Sequence, residues 1–225
     1  MITGLPFRPS PLVLAAPSGT GKTTIAHALV ERFHNFVFSV SATTRRAREG
    51  ERDGVDYDFV SRETFEGMMA EGALVEWAEV HGNLYGTPRV NLERAGERGE
   101  YAILDIDVQG ARQIKERVPE AVLIFVFPPS AEHLWARLTQ RGTEDLDEVR
   151  RRLLAARGEL EDAVQFDYIV VNDDLERAIA RVRTIVEAES HKPGRALDFP
   201  GEVDRIRSEI DRVVARDRVH RTAGG

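Results

Sequence analysis

Residues 15–24 read Ala15-Ala16-Pro17-Ser18-Gly19-Thr20-Gly21-Lys22-Thr23-Thr24. They follow the apolar run Leu12–Ala16 and open a helical pattern in which Ile25, Leu29 and Phe33 recur at i, i+4 and i+8, the strand, loop and helix context that a phosphate-binding loop requires. A tight glycine loop points successive backbone N–H groups into one concavity, and the following helix presents the positive end of its dipole there. Lys22 adds a full charge for β- and γ-phosphates, and Thr23 offers a hydroxyl to Mg²⁺. The pattern G-x-x-x-x-G-K-[ST] asks for glycine where the chain has Ala16. A loop needing positive φ at that position would carry about 1–2 kcal/mol of strain, whereas one needing only a small side chain carries none; the second case is expected. The loop nominates a nucleotide enzyme.

Further short apolar runs at Phe36–Ser41, Ala102–Ile106, Val122–Phe127 and Tyr168–Val171 lack polar alternation, as strands covered on both faces do. Helical patterns lie between them, including Thr23–His34 and Ala131–Gln140 with Leu134 and Leu138 on one face. The chain therefore reads as α/β, a doubly wound parallel sheet with ligands at the carboxyl ends of its strands. From about Gly54 to Pro88 the rhythm breaks. Val55–Val60 alternates like a half-exposed strand, and Leu74–Val80 and Asn83–Thr87 look like pieces of an antiparallel sheet, an insertion beside the main one. Arg141 to about Glu161 is a charged, helix-rich excursion containing Arg150-Arg151-Arg152; taken alone, such a helix is a solvated face. After Ser190, His191-Lys192-Pro193-Gly194 and Phe199-Pro200-Gly201 punctuate the chain, and Glu202–Val219 resumes a helix with Val203, Ile206, Ile210 and Val213 on one narrow stripe. Docking on its own domain, docking on a second subunit and a loose tail are the three readings of that segment, and a monomer or a homodimer is expected.

The 225 residues are 42% hydrophobic and 31% charged, enough to bury a full core as one domain with insertions. The absence of cysteine excludes disulfides, thiolate metal sites and cysteine nucleophiles. Met-Ile-Thr-Gly-Leu-Pro-Phe-Arg at the start has no cationic region followed by an apolar core, and no stretch approaches the roughly 18 apolar residues of a membrane span. A cytoplasmic protein without a membrane partner is expected. A net charge of −7 opposes non-specific binding to nucleic acid, which needs a basic surface, so a phosphate ligand must be met by a local cluster. The six histidines are scattered, with no pair at metal-ligand spacing.

The second ligand is written in longer motifs. Ser39-Val40-Ser41-Ala42-Thr43-Thr44-Arg45-Arg46-Ala47-Arg48-Glu49-Gly50-Glu51 is followed by Gly54-Val55-Asp56-Tyr57-Asp58-Phe59-Val60 and by Glu76-Trp77-Ala78-Glu79-Val80-His81-Gly82-Asn83-Leu84-Tyr85-Gly86-Thr87. Together with Ile103-Leu104-Asp105-Ile106-Asp107-Val108-Gln109-Gly110, Arg141-Gly142-Thr143 and Val171-Asn172-Asp173-Asp174, this order of motifs resembles the guanylate kinases from about Pro11 to about Glu187. The resemblance implies Mg-dependent transfer of the γ-phosphoryl group of ATP to GMP, and to dGMP, in purine nucleotide metabolism. It also divides the single domain into a core (11–53, 88–140 and 165–189), a GMP-binding insertion (about 42–88), a helical lid (about 141–161) and a C-terminal helical extension (about 190–225).

The roles it implies agree with the chemistry of the side chains. Guanine presents two adjacent donors and the O6 acceptor, so its reader needs a carboxylate beside hydroxyls: Glu76, assisted by Asp107, with Ser41 and Thr87 donating to O6. Adenine reverses both ends and would leave Glu76 buried against a lone pair. Arg45, Arg48, Tyr57 and Tyr85 match the positions that hold the GMP phosphate, and arginine forks bind its oxygens bidentately. Ala47 stands where many family members have proline. On the donor side, Ala16, Pro17, Ser18, Gly19, Thr20, Gly21, Lys22, Thr23 and Thr24 surround the ATP phosphates. Asn172 lies near the adenine ring or, equally, caps the following helix. Thr23 ligates Mg²⁺, and Asp105 organises it through water. Lys22 and the lid arginines Arg137, Arg141 and Arg152 stabilise the transferring group; the choice of Arg152 over Arg150 and Arg151 rests on register.

Overall fold

The computed structural model describes residues 7–80, 82–139 and 146–222. The chain forms two compact units, one spanning Pro9–Val186 and the other built from the two chain ends, up to Arg8 and from Glu187. In chain order the elements are β1 (Leu12–Ala15), α1 (Lys22–Arg32), β2 (Phe36–Phe38), β3 (Ala42–Thr43), β4 (Asp58–Phe59), α2 (Arg62–Ala70), β5 (Leu74–Val80), β6 (Asn83–Pro88), α3 (Arg89–Arg98), β7 (Tyr101–Asp105), α4 (Val108–Arg117), β8 (Val122–Phe127), α5 (Ala131–Thr139), α6 (Leu146–Glu161), β9 (Tyr168–Val171), α7 (Leu175–Ser190) and α8 (Phe199–Thr222).

Five strands make the main sheet in the order β2-β7-β1-β8-β9, every pair parallel. Its central strand shows why the apolar runs carry no alternation. Leu12 and Leu14 of β1 pack with Ile25 and Leu29 of α1 and Val182 of α7, while Val13 and Ala15 pack with Ala95 of α3 and Ala111 and Ile114 of α4. Both faces are covered by helices, so both parities of the strand are apolar. The sheet is doubly wound, and β1 and β7 end side by side, with Leu14 paired to Asp105.

The insertion is a four-stranded sheet in the order β4-β3-β6-β5. β3 pairs β4 in parallel, and β6 pairs both β3 and β5 antiparallel. Its core is Phe65 of α2, fully buried against Ala42, Leu74 and Leu84. Ser61 caps α2 by accepting from the Thr64 N–H at 3.0 Å. Only Asp58–Phe59 of the expected strand Val55–Val60 pairs as strand, because the preceding backbone is spent in a turn: Gly54 N–H donates to the Tyr57 carbonyl, and Val55 and Asp56 donate to the Arg52 carbonyl. α5 and α6 pack on each other through Leu134, Leu138, Val149 and Ala156.

In the smaller unit, Phe7 bridges Ala196 and Arg8 N–H donates to the Arg195 carbonyl at 2.9 Å. Glu189 is buried there between Lys192 at 2.5 Å and Arg195 at 2.8 Å. α8 begins three residues before the expected Glu202, after Asp198, whose carboxylate accepts from the Gly201 N–H at 3.3 Å.

Candidate active site

The phosphate loop leaves β1 after Ala15 and enters α1 at Lys22. Gly19 and Gly21 have φ of 87° and 86°, a backbone that L side chains avoid. Between them Thr20 ties the loop by donating its hydroxyl to the Pro17 carbonyl at 2.6 Å. Ala16 is not among the positive-φ residues, so alanine carries no left-handed strain there and instead joins the buried cluster with Leu14 and Ile25. α1 starts with no side-chain cap and no acid in its first turn, which leaves its positive end open to an anion. Lys22 Nζ lies 2.6 Å from Asp105 Oδ1 and donates to the Ile106 carbonyl at 2.6 Å, while Thr23 Oγ1 donates to Asp105 Oδ2 at 2.5 Å. One carboxylate at the end of β7 thus holds the lysine and the hydroxyl together. Thr24 is exposed beside them.

Three side chains brace the loop from outside. Arg137 of α5 donates to the Thr20 carbonyl at 2.6 Å and to the Asn172 carbonyl at 3.3 Å. Asn172 Nδ2 donates to the same Thr20 carbonyl at 2.6 Å, and Arg152 of α6 reaches Ser18 Oγ at 2.6 Å. Arg141 lies outside the described residues. Asn172 does not cap α7; Asp174 does, accepting from the Arg177 N–H at 3.0 Å. Asn172 is 3% exposed and its Oδ1 is buried without a partner, an acceptor that a ligand amino group would satisfy.

The insertion brings a second polar set to the same edge. Register places Glu76 of β5 opposite Thr87 of β6, and the Thr87 hydroxyl donates to Glu76 Oε1 at 2.7 Å. Both are buried, at 4% and 0% exposure, and Ser41 is buried just before β3. Burial pushes the Glu76 carboxyl up to about 7; the Thr87 hydrogen bond opposes that rise and the nearby Asp107 charge adds to it. Asp107 itself caps α4, accepting from the Gly110 N–H at 2.7 Å. Gly110 leaves the room Glu76 occupies: a Cβ there would stand 2.8 Å from Glu76 Oε2.

The cationic set is already assembled. Arg45 is held by Glu51 through two bonds of 2.9 Å, with its guanidinium 5.3 Å from the centre of the Tyr57 ring. Tyr57 and Tyr85 meet edge to face at 6.0 Å, and Tyr85 adds a hydrogen bond to Arg45. Glu51 also accepts from the Arg48 N–H at 2.7 Å, so one carboxylate shapes the loop that carries both arginines; the Arg48 side chain is exposed. Burial raises the Tyr57 phenol, and the Asp105 charge raises it further. The phenol therefore lies within electrostatic reach of the carboxylate that holds Lys22.

Several contributors carry no motif of their own. Gln113 of α4 donates to the Trp77 carbonyl at 2.8 Å and accepts from the Trp77 N–H at 3.4 Å, and Arg117 donates to the Val75 carbonyl at 2.6 Å. These two side chains clamp the outer edge of β5 on both sides of Glu76. Their spacing with Gly110, i, i+3 and i+7, marks one face of a helix and was the available signal. Asn91 of α3 donates to the Val40 carbonyl at 2.8 Å, fixing the chain just before Ser41. Glu159 of α6 is raised by burial, with Lys22 opposing and Asp107 reinforcing the rise, so the helix that carries Arg152 also presents a carboxylate toward the loop.

The donor set fits Mg²⁺. The Thr23 hydroxyl and the Asp105 carboxylate are hard oxygen ligands side by side, and no group of three or more His, Cys, Asp or Glu able to hold a metal exists among the described residues. Few protein ligands, completed by water and substrate phosphates, is the coordination Mg²⁺ favours. Among the described residues no helix is long and apolar enough to cross a membrane.

Comparison with known proteins agrees with this geometry. The family model for guanylate kinase matches residues 8–189. A guanylate kinase of Myxococcus xanthus is 52% identical over 179 residues, 79% of this chain and 86% of that protein. One from Thermus thermophilus is 46% identical over 208 residues, 91% of this chain and 94% of its own. The crystal structure of guanylate kinase from Anaplasma phagocytophilum superposes with a TM-score of 0.73 at 39% identity, covering 88% of this chain and 94% of that one. A phosphate loop on a doubly wound sheet, a buried carboxylate on a small second sheet and these relatives lead to one conclusion: the chain belongs to the guanylate kinase family and is an enzyme of that family.

Proposed function

We propose that the protein transfers the γ-phosphoryl group of ATP to GMP, giving ADP and GDP, with Mg²⁺ on the phosphates. The observation that carries this reading is the buried Glu76 carboxylate, bonded to Thr87, pressed by Asp107 and set on a sheet whose arginines are already organised. A carboxylate kept from water at that cost to its ionisation is suited to a ligand that brings two N–H donors, as guanine does. Ser41 and Thr87 donate to O6, and Arg45, Arg48, Tyr57 and Tyr85 hold the phosphate. None of these groups reads the ribose 2′-hydroxyl, so dGMP is accepted as well.

A phosphate oxygen of GMP is ionised at neutral pH, so no general base is needed and the chain contributes position and charge. The N–H groups of residues 16–24 bind the ATP phosphates, and Asn172 accepts from the adenine amino group. Lys22 leaves its partner Asp105 to follow the transferring group; Thr23 and Asp105 would hold Mg²⁺, which would supply charge neutralisation on the phosphates. Arg137, Arg141 and Arg152 act on the charge that develops in transfer. α6 serves as the lid that keeps water from the γ-phosphate.

ADP release from MgATP with GMP, dGMP, AMP, CMP or UMP, against a control without acceptor, tests the reading. Turnover restricted to GMP and dGMP is expected. Equal turnover with AMP would remove the guanine assignment, and GMP binding without turnover would make the protein a binding module.

A further inference from the structure

Glu51 brings a negative charge into the cluster that the proposed reaction gives to the GMP phosphate, and like charge there weakens binding unless the side chain contributes something larger. Its bonds show what that is. The Glu51 backbone N–H donates to the Arg48 carbonyl at 3.1 Å and its carboxylate accepts from the Arg48 N–H at 2.7 Å, while Gly50 between them turns the chain at φ 87°. Glu51 is therefore fixed to the loop at two points. Against it lies Arg45, whose own backbone N–H donates to the Thr43 hydroxyl at 3.2 Å. The two side chains are only 13% and 19% exposed, which shelters them from the screening that weakens surface pairs.

A guanidinium carries five N–H donors in one rigid plane. Glu51 takes one from Nη1 and one from Nη2 of Arg45, both at 2.9 Å, and the Arg46 carbonyl takes the second Nη1–H at 2.8 Å. The Nε–H and the second Nη2–H remain, side by side on one edge of the plane. The guanidinium carbon lies 5.3 Å from the centre of the Tyr57 ring and 5.8 Å from that of Phe59, so the rings restrict its tilt. Tyr85 also bonds the guanidinium, but a neutral phenol is a weaker acceptor than a phosphate oxygen. We propose that Glu51 is a positioning residue for the acceptor phosphate: by filling one edge of Arg45 it presents the other, Nε–H with the second Nη2–H, as the fork that takes two phosphate oxygens. An arginine held in its binding orientation loses less freedom when the ligand arrives, and that gain outweighs the repulsion. Such a fork suits any nucleoside monophosphate, so it rests on the phosphate site of the proposed function and is independent of which base is read.

Steady-state kinetics and NMR on the full chain are the test. Glu51→Ala should lower kcat/KM for GMP at least about tenfold while the KM for ATP stays within about twofold. Glu51→Gln keeps the shape and the bond from the Arg48 N–H but turns an amino group towards Arg45, and it should also raise the KM for GMP; a KM that fell would show that the carboxylate only repels the phosphate. A double-mutant cycle separates aiming from loop folding: in an Arg45→Ala background, Glu51→Ala should change kcat/KM for GMP by no more than about twofold. A second loss as large as the first would make Glu51 a loop-folding residue and overturn the proposal. The edge is read directly from the Arg45 Nε–H resonance, assigned by its disappearance in Arg45→Lys, which should move downfield when GMP saturates the parent protein; a resonance unmoved by bound GMP would also overturn it. Failure of the guanine reading looks different, since AMP would then turn over with the same dependence on Glu51.

Discussion

Replacing Glu76 by glutamine should make the ligand-free protein more stable at pH 8 while removing its preference for guanine. Folding lifts the Glu76 carboxyl from an ordinary 4.5 to about 7, mainly through burial. Between those pH values the unfolded chain has lost its proton and the folded chain keeps it, so stability falls by about 1.4 kcal/mol for each pH unit. The favourable contribution is fully present below pH 4.5 and is lost as pH rises through about 7, a total of about 3 kcal/mol. Glutamine has the same shape, still accepts from Thr87 and does not titrate. Glu76→Gln should therefore melt higher than the parent at pH 8, by up to about 6–12 °C for a chain of this size, and the gap should close towards pH 4.5. Paired thermal melts across pH 4.5–8 read the gap directly. GMP binding supplies the chemical half: below pH 7 the parent must release the Glu76 proton to accept guanine N–H groups, so calorimetric binding enthalpies should depend on the buffer's own ionisation enthalpy for the parent and far less for the variant. A gap that is independent of pH, or a variant that melts lower at pH 8, would refute the reasoning.

Other substitutions separate the parts of the site. Gly110→Ala puts a methyl group 2.8 Å from Glu76 Oε2 and should raise the KM for GMP at least about tenfold, a loss of about 1.4 kcal/mol, with the KM for ATP unchanged in steady-state assays. Gln113→Ala strips both partners from the Trp77 backbone and should destabilise the protein by about 1–3 kcal/mol in denaturant titration; restoring both bonds needs a side-chain amide, so Gln113→Glu should not rescue it. Lys22→Ala should abolish transfer while leaving GMP affinity within about twofold by calorimetry. Arg152→Ala should lower kcat about 10³-fold, and turnover above a tenth of the parent's would remove it from the transfer step.

The main sheet was legible because its physics is uniform: β1, β7 and β8 are buried on both faces, and unbroken apolar runs state that directly. β5 and β6 were legible to within a residue. The failures lie where local hydrogen bonds overrule pattern. Val55–Val60 alternates as a strand should, yet Arg52 and Tyr57 carbonyls claim the N–H groups of Val55, Asp56 and Gly54. α2, with Ser61 as cap and Phe65, Met68 and Met69 on one face, carried a helix signal that the surrounding strand patterns concealed. Within the candidate site the fold gathers the motif-nominated acids and cations that lie among the described residues, whereas Gln113, Arg117 and Asn91 act through backbone carbonyls; the i, i+3, i+7 spacing of Gly110, Gln113 and Arg117 marks a helix face without naming the strand it meets.

In the proposed reaction, the exit of β7 serves both substrate sites through one short connection. Asp105 ends the strand and faces the phosphate loop, where Lys22 and Thr23 share its two oxygens. Two residues later Asp107 starts α4, and its charge falls on Glu76. α4 then returns along β5, with Gly110 beneath the Glu76 carboxylate and Gln113 and Arg117 on the strand backbone. The helix that packs Ala111 and Ile114 against the main sheet therefore also sets the depth and register of the acid on the second sheet. Asp107→Asn separates the two roles of that aspartate. The amide still caps α4, so the helix and the β5 clamp should stand, but the charge that lifts Glu76 is gone. The pH at which Glu76 protonates should fall, and GMP binding should persist to lower pH than in the parent. Asp107→Ala removes cap and charge together and should cost about 1 kcal/mol of stability. If Asp107→Asn lost GMP binding at every pH, with its melting temperature unchanged, Asp107 would instead be a direct contact to the base.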